Sequence, residues 1–325
     1  MDYSGKVAII TGGANGIGLG IATQCAKEKM KIVLADINDI ALENACQELT
    51  ATGAEVIGKK TDVTKEQDWK DLVDLTMNTF GKIDFFFSNA GISFHKSLEA
   101  ATDAEWDWVF NVNFWSHVKA IREILPIMKS QDSGGHITFT SSIGAIGATM
   151  TMVPYACTKS ALVSLAEGLR AELDATQMSK VKLSVVLPGG VATNIQDQTF
   201  TKPKDVPGAD DNASELDLAF KNSIGAEHKG ASLGGANTFS GMMISKELAG
   251  ERILDQMKRG YFYIYTSRNS AKNVLMKRSY AMLMDEQPIN VSRDIQAYYV
   301  KKLSVDPDFQ ELVRTKGVNF GIRWT

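Results

Sequence analysis

Short, continuously apolar runs alternate with longer amphipathic ones along the first two-thirds of the chain. The apolar runs Val7–Ile10, Ile32–Ala35, Glu55–Gly58, Phe85–Ser88, Ile137–Thr140 and Leu183–Leu187 have strand length and predict strands covered on both faces. Between them, helical spacing of the apolar positions predicts helices over Gly18–Glu28, Ile40–Thr50, Glu66–Phe80, Asp103–Met128 and Pro154–Ala175. Strand then helix, repeated this way, specifies an α/β fold with a doubly wound parallel sheet. The regularity ends after Leu187. Residues 194–240 are rich in Gly, Ser, Asn, Asp and Thr, with Pro203 and Pro207, and predict a long loop segment carrying one short helix near Ser214–Asn222. Leu248, Ile253, Leu254 and Met257 then mark one face of a helix over Lys246–Arg259, and Tyr261–Tyr265 reads as a last strand. One domain over residues 1–266 is expected, followed by an extension of mixed charge over 267–325.

Composition narrows the partners. At 325 residues and 44% hydrophobic content the chain can bury a sizeable core. A net charge of -3, with no long run of one sign, gives no reason to expect nucleic acid or an anionic membrane. Cys25, Cys46 and Cys157 fit neither a disulfide nor a metal pattern, so a reducing compartment is expected. The N-terminus lacks a basic region followed by a long apolar stretch, and no apolar run approaches the ~20 residues of a membrane-crossing helix. A cytoplasmic protein with no transmembrane segment is expected.

The first strand runs directly into Thr11-Gly12-Gly13-Ala14-Asn15-Gly16-Ile17-Gly18, and a helical run follows. Glycines let the backbone approach a phosphate closely, and the helix start offers free N–H groups and a positive dipole end to a pyrophosphate. A glycine cluster alone is weak evidence, but one set between a first strand and a helix points to a dinucleotide. Asp36 ends the second strand 18 residues after Gly18, where a carboxylate accepts hydrogen bonds from the adenine-ribose hydroxyls and repels a 2′-phosphate. Its bland alternative, capping the helix over Ile40–Thr50, suits Asn38 or Asp39 better.

Tyr155-Ala156-Cys157-Thr158-Lys159 opens a helical run, so Tyr155 and Lys159 share one helix face at i and i+4. Ser141-Ser142 ends the fifth strand, with Ser142 thirteen residues before Tyr155. Strand ends and helix starts on one edge of such a sheet converge on the crevice where ligands bind. A phenol titrates near ~10, too high for a base at neutral pH, and a neighbouring ammonium favours phenolate. Ser142 is suited to donate a hydrogen bond to a substrate oxygen. Such a set moves a proton on and off a carbinol oxygen while hydride moves at its carbon.

T-G-x-x-x-G-x-G followed by Y-x-x-x-K resembles the short-chain dehydrogenase/reductase family, in its single-domain branch. The resemblance runs over residues 5–195 with the motifs in order, and more loosely over 246–265. It implies a Rossmann-type fold holding a nicotinamide dinucleotide through Gly12, Asn15, Gly16, Ile17 and Gly18, through Asp36, through Asp62 and Val63 at the adenine, and through Asn89, Ala90 and Gly91. Ser88 stands where the family usually shows the first of two Asn residues, a departure that leaves Asn89 in place. Members using NADP often carry Arg or Lys in the loop or just past the second strand; Ala14, Asn15 and Ile37 stand there, so NAD is expected. Pro188-Gly189-Gly190-Val191-Ala192-Thr193 matches the family's Pro-Gly-x-Val-x-Thr, which implies Val191 at the carboxamide and Thr193 at the carboxamide or a phosphate. The resemblance assigns catalysis to Tyr155, Lys159 and Ser142, gives Lys159 the nicotinamide ribose as well, and adds an Asn linking that lysine to water. Asn111 and Asn113 both qualify; the following Phe114-Trp115-Ser116 favours Asn113.

The reaction expected is NAD-dependent interconversion of a secondary alcohol and a ketone. Two rivals stand beside it: a catalytically silent NAD-binding regulatory or scaffold protein, which would lack Tyr, Lys or Ser, and an epimerase or dehydratase using NAD transiently. The substrate pocket is expected to draw on Phe94, His95, residues 143–153 and segment 194–245. Ile146, Met150, Met152, Phe200, Met242 and Met243 make that set apolar and deformable, so a hydrophobic small molecule is expected, terpenoid, steroid or lipid-like. His95, His117, His136 and His228 show no ligand spacing, so no metal is expected. Cys157 reads as a small buried residue rather than a redox thiol, and Trp106, Trp108 and Trp115 as core or interface side chains. The resemblance also implies a homodimer or homotetramer assembled through the helices over Asp103–Met128 and Pro154–Ala175.

Overall fold

The computed structural model describes residues 2–147, 151–176, 180–195 and 243–267, with 202, 203, 206, 214, 216 and 217 between them. Residues 268–325, a unit apart from 1–267, lie outside the described residues, as does the expectation for that extension.

Seven parallel strands form one sheet: β1 Val7–Thr11, β2 Lys31–Asp36, β3 Val56–Lys60, β4 Phe85–Ser88, β5 Gly135–Thr140, β6 Val181–Leu187 and β7 Tyr263–Tyr265. Their order is β3-β2-β1-β4-β5-β6-β7. The connections run one way from β1 to β3 and the other way from β4 onward, so a crevice opens between the C-terminal ends of β1 and β4. The helices are α1 Gly16–Lys27, α2 Asp39–Ala51, α3 Glu66–Phe80, α4 Asp103–Phe110, α5 Ser116–Ser130, α6 Val153–Ala175 and α7 Lys246–Lys258. This is the doubly wound Rossmann-type architecture.

Alternation along each strand builds a core on both sides. Ala8, Ile10, Ile32 and Leu34 pack with α1, α2 and α7, while Ile9, Val33, Phe86, Ile137 and Phe139 pack with α3, α5 and α6. Helix α7 crosses α1 at two glycines: a Cβ on Gly20 would fall 2.0 Å from the Lys246 carbonyl oxygen, and one on Gly250 would fall 2.1 Å from that of Gly20. The backbones therefore touch, and α7 is locked against the first helix.

Two elements differ from expectation. The helix expected over Asp103–Met128 is α4 and α5 joined by a π-helical turn over Asn111–Trp115. One extra residue per turn rotates the side chains that follow, which a pattern of apolar spacing does not report. The last strand is also shorter, beginning at Tyr263. Of the short helix expected near Ser214–Asn222, Leu216 and Asp217 are helical and the rest lies outside the described residues.

The glycine crossing reverses a usual rule. Gly168, exposed in α6 with no atom within 4 Å of a built Cβ, should gain up to ~1 kcal/mol as Gly168→Ala from helix propensity. Gly20→Ala should instead lose about 1–3 kcal/mol through overpacking. Urea unfolding of the two variants reads the opposite signs.

Candidate active site

The chain ends of β1 and β4 are tied first. Asn89 Nδ2 donates to the Thr11 carbonyl at 3.0 Å, and the Asn89 and Ala90 amides donate to Thr11 Oγ1 at 2.9 and 3.1 Å. The loop leaving β1 turns at Gly12, whose φ of +61° suits glycine. A Cβ on Gly18 would fall 2.1 Å from the Gly12 carbonyl oxygen, so the loop closes onto the start of α1. Asn15 caps α1 without a side-chain hydrogen bond, and the first turn carries no acid. The opening amides of the helix are thus left for an anion, as a pyrophosphate cradle requires. Gly16 lies against Thr193: a Cβ there would sit 3.0 Å from the threonine side chain.

Asp36 closes the adenosine side. Its Oδ2 accepts from the Ala14 amide at 3.1 Å and its Oδ1 from the Asn38 amide at 3.0 Å. Burial lifts its carboxyl above the ordinary range, and backbone N–H groups of Asn38, Ala14 and Ile37 pull the other way. The cap of α2 is Asn38, whose Oδ1 accepts from the Ala41 amide, so Asp36 is not used as a cap. Asp62 is engaged locally: Oδ1 accepts from Thr64, and Oδ2 lies 3.5 Å from Lys65 Nζ. The Val63 carbonyl accepts from the Trp69 indole.

Across the crevice, β5, β6 and α6 converge. Ser141 Oγ donates to the Lys159 carbonyl at 2.7 Å, Ser160 Oγ donates to the Ala145 carbonyl, and the Ile143 amide donates to the Pro188 carbonyl. These bonds fix Ser142 beside Tyr155. Tyr155 is 8% exposed and Lys159 2%. The Lys159 ammonium donates to the Thr140 carbonyl at 3.0 Å and lies 5.7 Å from the centre of the Tyr155 ring. Burial pushes Lys159 down to about 8. Burial also raises the Tyr155 phenol, while a hydrogen bond with Ser142 lowers it. Around the phenol, desolvation outweighs the Ser142 hydrogen bond, and the Lys159 nitrogen is turned to a backbone carbonyl. The Gly189 amide donates to Thr266 Oγ1, and Val191 and Ala192 pair with Ile244, which brings the chain back to this edge.

Asn113 is fully buried in the π-helical turn, whereas Asn111 is exposed. Asn113 Oδ1 accepts from the Ile92 amide at 2.8 Å, and Nδ2 donates to the Ile92 carbonyl at 3.0 Å and to Thr158 Oγ1 at 3.3 Å. Gly91 is wedged between them: a Cβ there would fall 3.1 Å from Lys159 Nζ and 3.2 Å from Asn113 Oδ1. One helical step further, His117 shares a 2.6 Å hydrogen bond with Ser88, the residue that departs from the family pattern. Burial, then the Lys159 charge, brings His117 down to about 3, so it is neutral near neutral pH. Sequence reasoning set His117 aside; its only signal was the unusual Ser88.

On the substrate side, Phe94 packs with Ile92, Trp108, Val109, Val112 and Val206 in a separate cluster rather than facing open space. Ser93 Oγ and His95 Nε2 are 3.1 Å apart, and burial lowers His95. Ile146 and Met152 are half-buried and Met243 is exposed; Met150, Phe200 and Met242 lie outside the described residues, as does His228. Cys157, expected to be buried, is exposed, because it lies on a face of α6 turned from that of Tyr155 and Lys159. Among the described residues no cluster of His, Cys, Asp or Glu could hold a metal, and no helix is long and apolar enough to cross a membrane.

Comparison with known proteins gives a consistent picture. Residues 6–204 match the family model described as short chain dehydrogenase. A dehydrogenase/reductase of CLA biosynthesis from Lactiplantibacillus plantarum is 34% identical over 194 residues, 60% of this chain and 68% of that one. The 1-deoxy-11-beta-hydroxypentalenate dehydrogenase of Streptomyces exfoliatus is 32% identical over 226 residues, covering 67% of this chain and 78% of that one. A crystal structure of a short chain dehydrogenase/reductase from Burkholderia phymatum in complex with NAD superposes with a TM-score of 0.78 at 28% identity, covering 90% of this chain and 99% of that one.

Burial of Lys159 has a pH signature. Its folded value of about 8 lies below the 10.5 of a free lysine, so between those values the unfolded chain binds more protons. The ammonium therefore costs stability below pH 8, and that cost fades as pH rises to 10.5. Lys159→Met should be more stable than the parent at pH 7 by on the order of 3 kcal/mol, with the gap closing above pH 10. Urea titrations across pH check this; a less stable variant at pH 7 would mean that the bond to Thr140 outweighs desolvation.

Proposed function

This chain belongs to the short chain dehydrogenase family, oxidoreductases that bind a nicotinamide cofactor and act on small molecules, and we propose that it interconverts a secondary alcohol and a ketone with NAD. The observation that carries this reading is the grouping of buried Tyr155 and Lys159 with half-buried Ser142 where β5 meets α6, across the crevice from a glycine cradle. The cradle fits a dinucleotide: the loop is closed where any Cβ would clash, and the α1 amides are uncapped. Gly12, Asn15, Gly16, Ile17 and Gly18 would hold the pyrophosphate, Asp36 the adenine ribose, Asp62, Val63, Asn89, Ala90 and Gly91 the adenine and ribose side, and Pro188, Gly189, Val191 and Thr193 the carboxamide. When bound, the nicotinamide supplies the hydride acceptor or donor.

The protein's own groups handle the proton. Tyr155 gives its phenolic proton to a ketone oxygen, or takes one from an alcohol. Ser142 donates a hydrogen bond to the same oxygen and stabilises charge that grows there. Lys159 keeps a positive charge close behind, and Asn113 holds Ile92 and Thr158 so that Gly91 and Lys159 stay in place.

NAD is preferred because Asp36 would repel a 2′-phosphate and neither Ala14, Asn15 nor Ile37 offers a compensating charge. A hydrophobic substrate is favoured by Ile146, Met152 and Met243 on the substrate side, with residues 194–245 as the binding segment of a catalytic domain over 1–266. The pentalenate named for one relative belongs to the same broad class. Unpaired Cys25, Cys46 and Cys157 suit the cytoplasm. A homodimer or homotetramer is supported by the aromatic row Trp106, Phe110, Phe114 and Trp115 along α4 and the π-helical turn, which ends on a Trp115 that is 47% exposed.

Incubation with NAD and a panel of hydrophobic secondary alcohols should accumulate NADH, and Tyr155→Phe should lower the rate by about 10²–10⁴. Equal rates would remove Tyr155 from the chemistry, and cofactor binding without any turnover would favour a silent NAD-binding protein. Asp36→Ala should weaken NAD and relax rejection of NADP; unchanged KM values for both would remove Asp36 from the ribose site.

A further inference from the structure

Thr151 combines two features that proteins seldom keep without use. Its φ is +60°, a left-handed backbone for a β-branched side chain. Its hydroxyl is buried, the residue being 3% exposed, and Oγ1 finds no hydrogen-bond partner among the described residues. Nearly all buried hydroxyls are partnered, so one without a partner among the described residues marks a position where a bound molecule can supply the bond.

The strained conformation is held from outside. The Lys96 amide donates to the Thr151 carbonyl at 2.6 Å, and Lys96 pairs with Met152 in a parallel bridge. Lys96 in turn carries a fully buried ion pair with Glu105 at 3.0 Å. The same carboxylate accepts from the Thr102 amide and hydroxyl in the capping box of α4. Met152, the next residue, caps α6, and its carbonyl accepts from the Ala156 amide. A buried ion pair, a capping box and a helix start thus fix the backbone of one residue in a conformation that it would not choose. Strain over-determined in this way is typical of ligand-contacting positions.

We propose that Thr151 is a specificity-determining residue whose hydroxyl bonds to a second oxygen of the substrate, one that does not react. The proposal rests on the dehydrogenase reading of the site. Tyr155 and Ser142 already serve the reacting oxygen, and Thr151 stands four residues before Tyr155, outside the helix. Four residues span at most about 14 Å, within the length of a medium or large substrate. The preferred substrate class is therefore a hydrophobic secondary alcohol or ketone carrying another hydroxyl or carbonyl at a distance.

The test compares 2-decanol with decanediols in which the second hydroxyl steps from C4 to C8, using the full-length protein with NAD. At least one diol should exceed 2-decanol in kcat/KM. Thr151→Val should lower kcat/KM for that diol about tenfold more than for 2-decanol, while Thr151→Ser should keep the advantage. Thr151→Ala replaces the valine variant should the latter not fold. The proposal is overturned by a diol advantage that survives Thr151→Val, by equal losses on both alcohols, or by no advantage for any diol. Should the parent oxidise none of them, the dehydrogenase reading fails on its own. Calorimetric binding of the same alcohols with NAD then decides Thr151: a diol preference lost in Thr151→Val supports it, and equal binding overturns it.

Discussion

A dry ammonium is the demand around which this site is arranged. Lys159 lies inside the protein, where an isolated charge is costly, and what it is given in return is one backbone carbonyl, that of Thr140. Holding that carbonyl in place requires the end of β5 to be tied to α6, which Ser141 does through the Lys159 carbonyl and Ser160 through that of Ala145. The opposite wall must come close without a side chain, hence Gly91. Asn113 secures the backbone beside it by bonding both the amide and the carbonyl of Ile92. Each neighbour is explained by the need to place one charge near one phenol without water.

Much of the frame was legible because its physics is local. A strand buried on both faces must be apolar throughout, so β1, β2, β4, β5 and β6 were visible as runs, and α3 was read to its two ends. The π-helical turn was not legible, since it inserts a residue without changing which residues are apolar. The crossing of α1 and α7 was missed for another reason: Gly20 and Gly250 are far apart in the chain, and neither glycine alone announces a contact.

The site divides along the same line. Tyr155 and Lys159 are neighbours by helix geometry, and Asp36 is placed by the strand that it ends, so spacing sufficed to nominate them. The pairing of Ser88 with His117 joins residues 29 apart, and the Thr151 strain is a backbone angle; neither has a sequence signature. How buried a charged or phenolic group becomes is likewise not written in spacing, as for Tyr155 and Lys159, nor is the packing of Phe94 against Trp108.

That division explains why reaction class is easier to read than substrate. The proton-handling groups are carried on strand ends and helix starts, whose positions follow from periodicity. The positions proposed to face the substrate sit on connections, among them residues 93–96, 143–147 and 151–152, which are held by contacts between distant segments such as Lys96 with Thr151 and Ile143 with Pro188. The Lys96–Glu105 pair shows how such a connection becomes rigid. Breaking either partner would strand a buried charge, so the backbone that it anchors cannot relax without large cost. Lys96 bonds directly to the Thr151 carbonyl, so the conformation of Thr151 is tied to that cost. On the proposed role of Thr151, a change of substrate class would have to keep that pair while altering what the Thr151 hydroxyl meets.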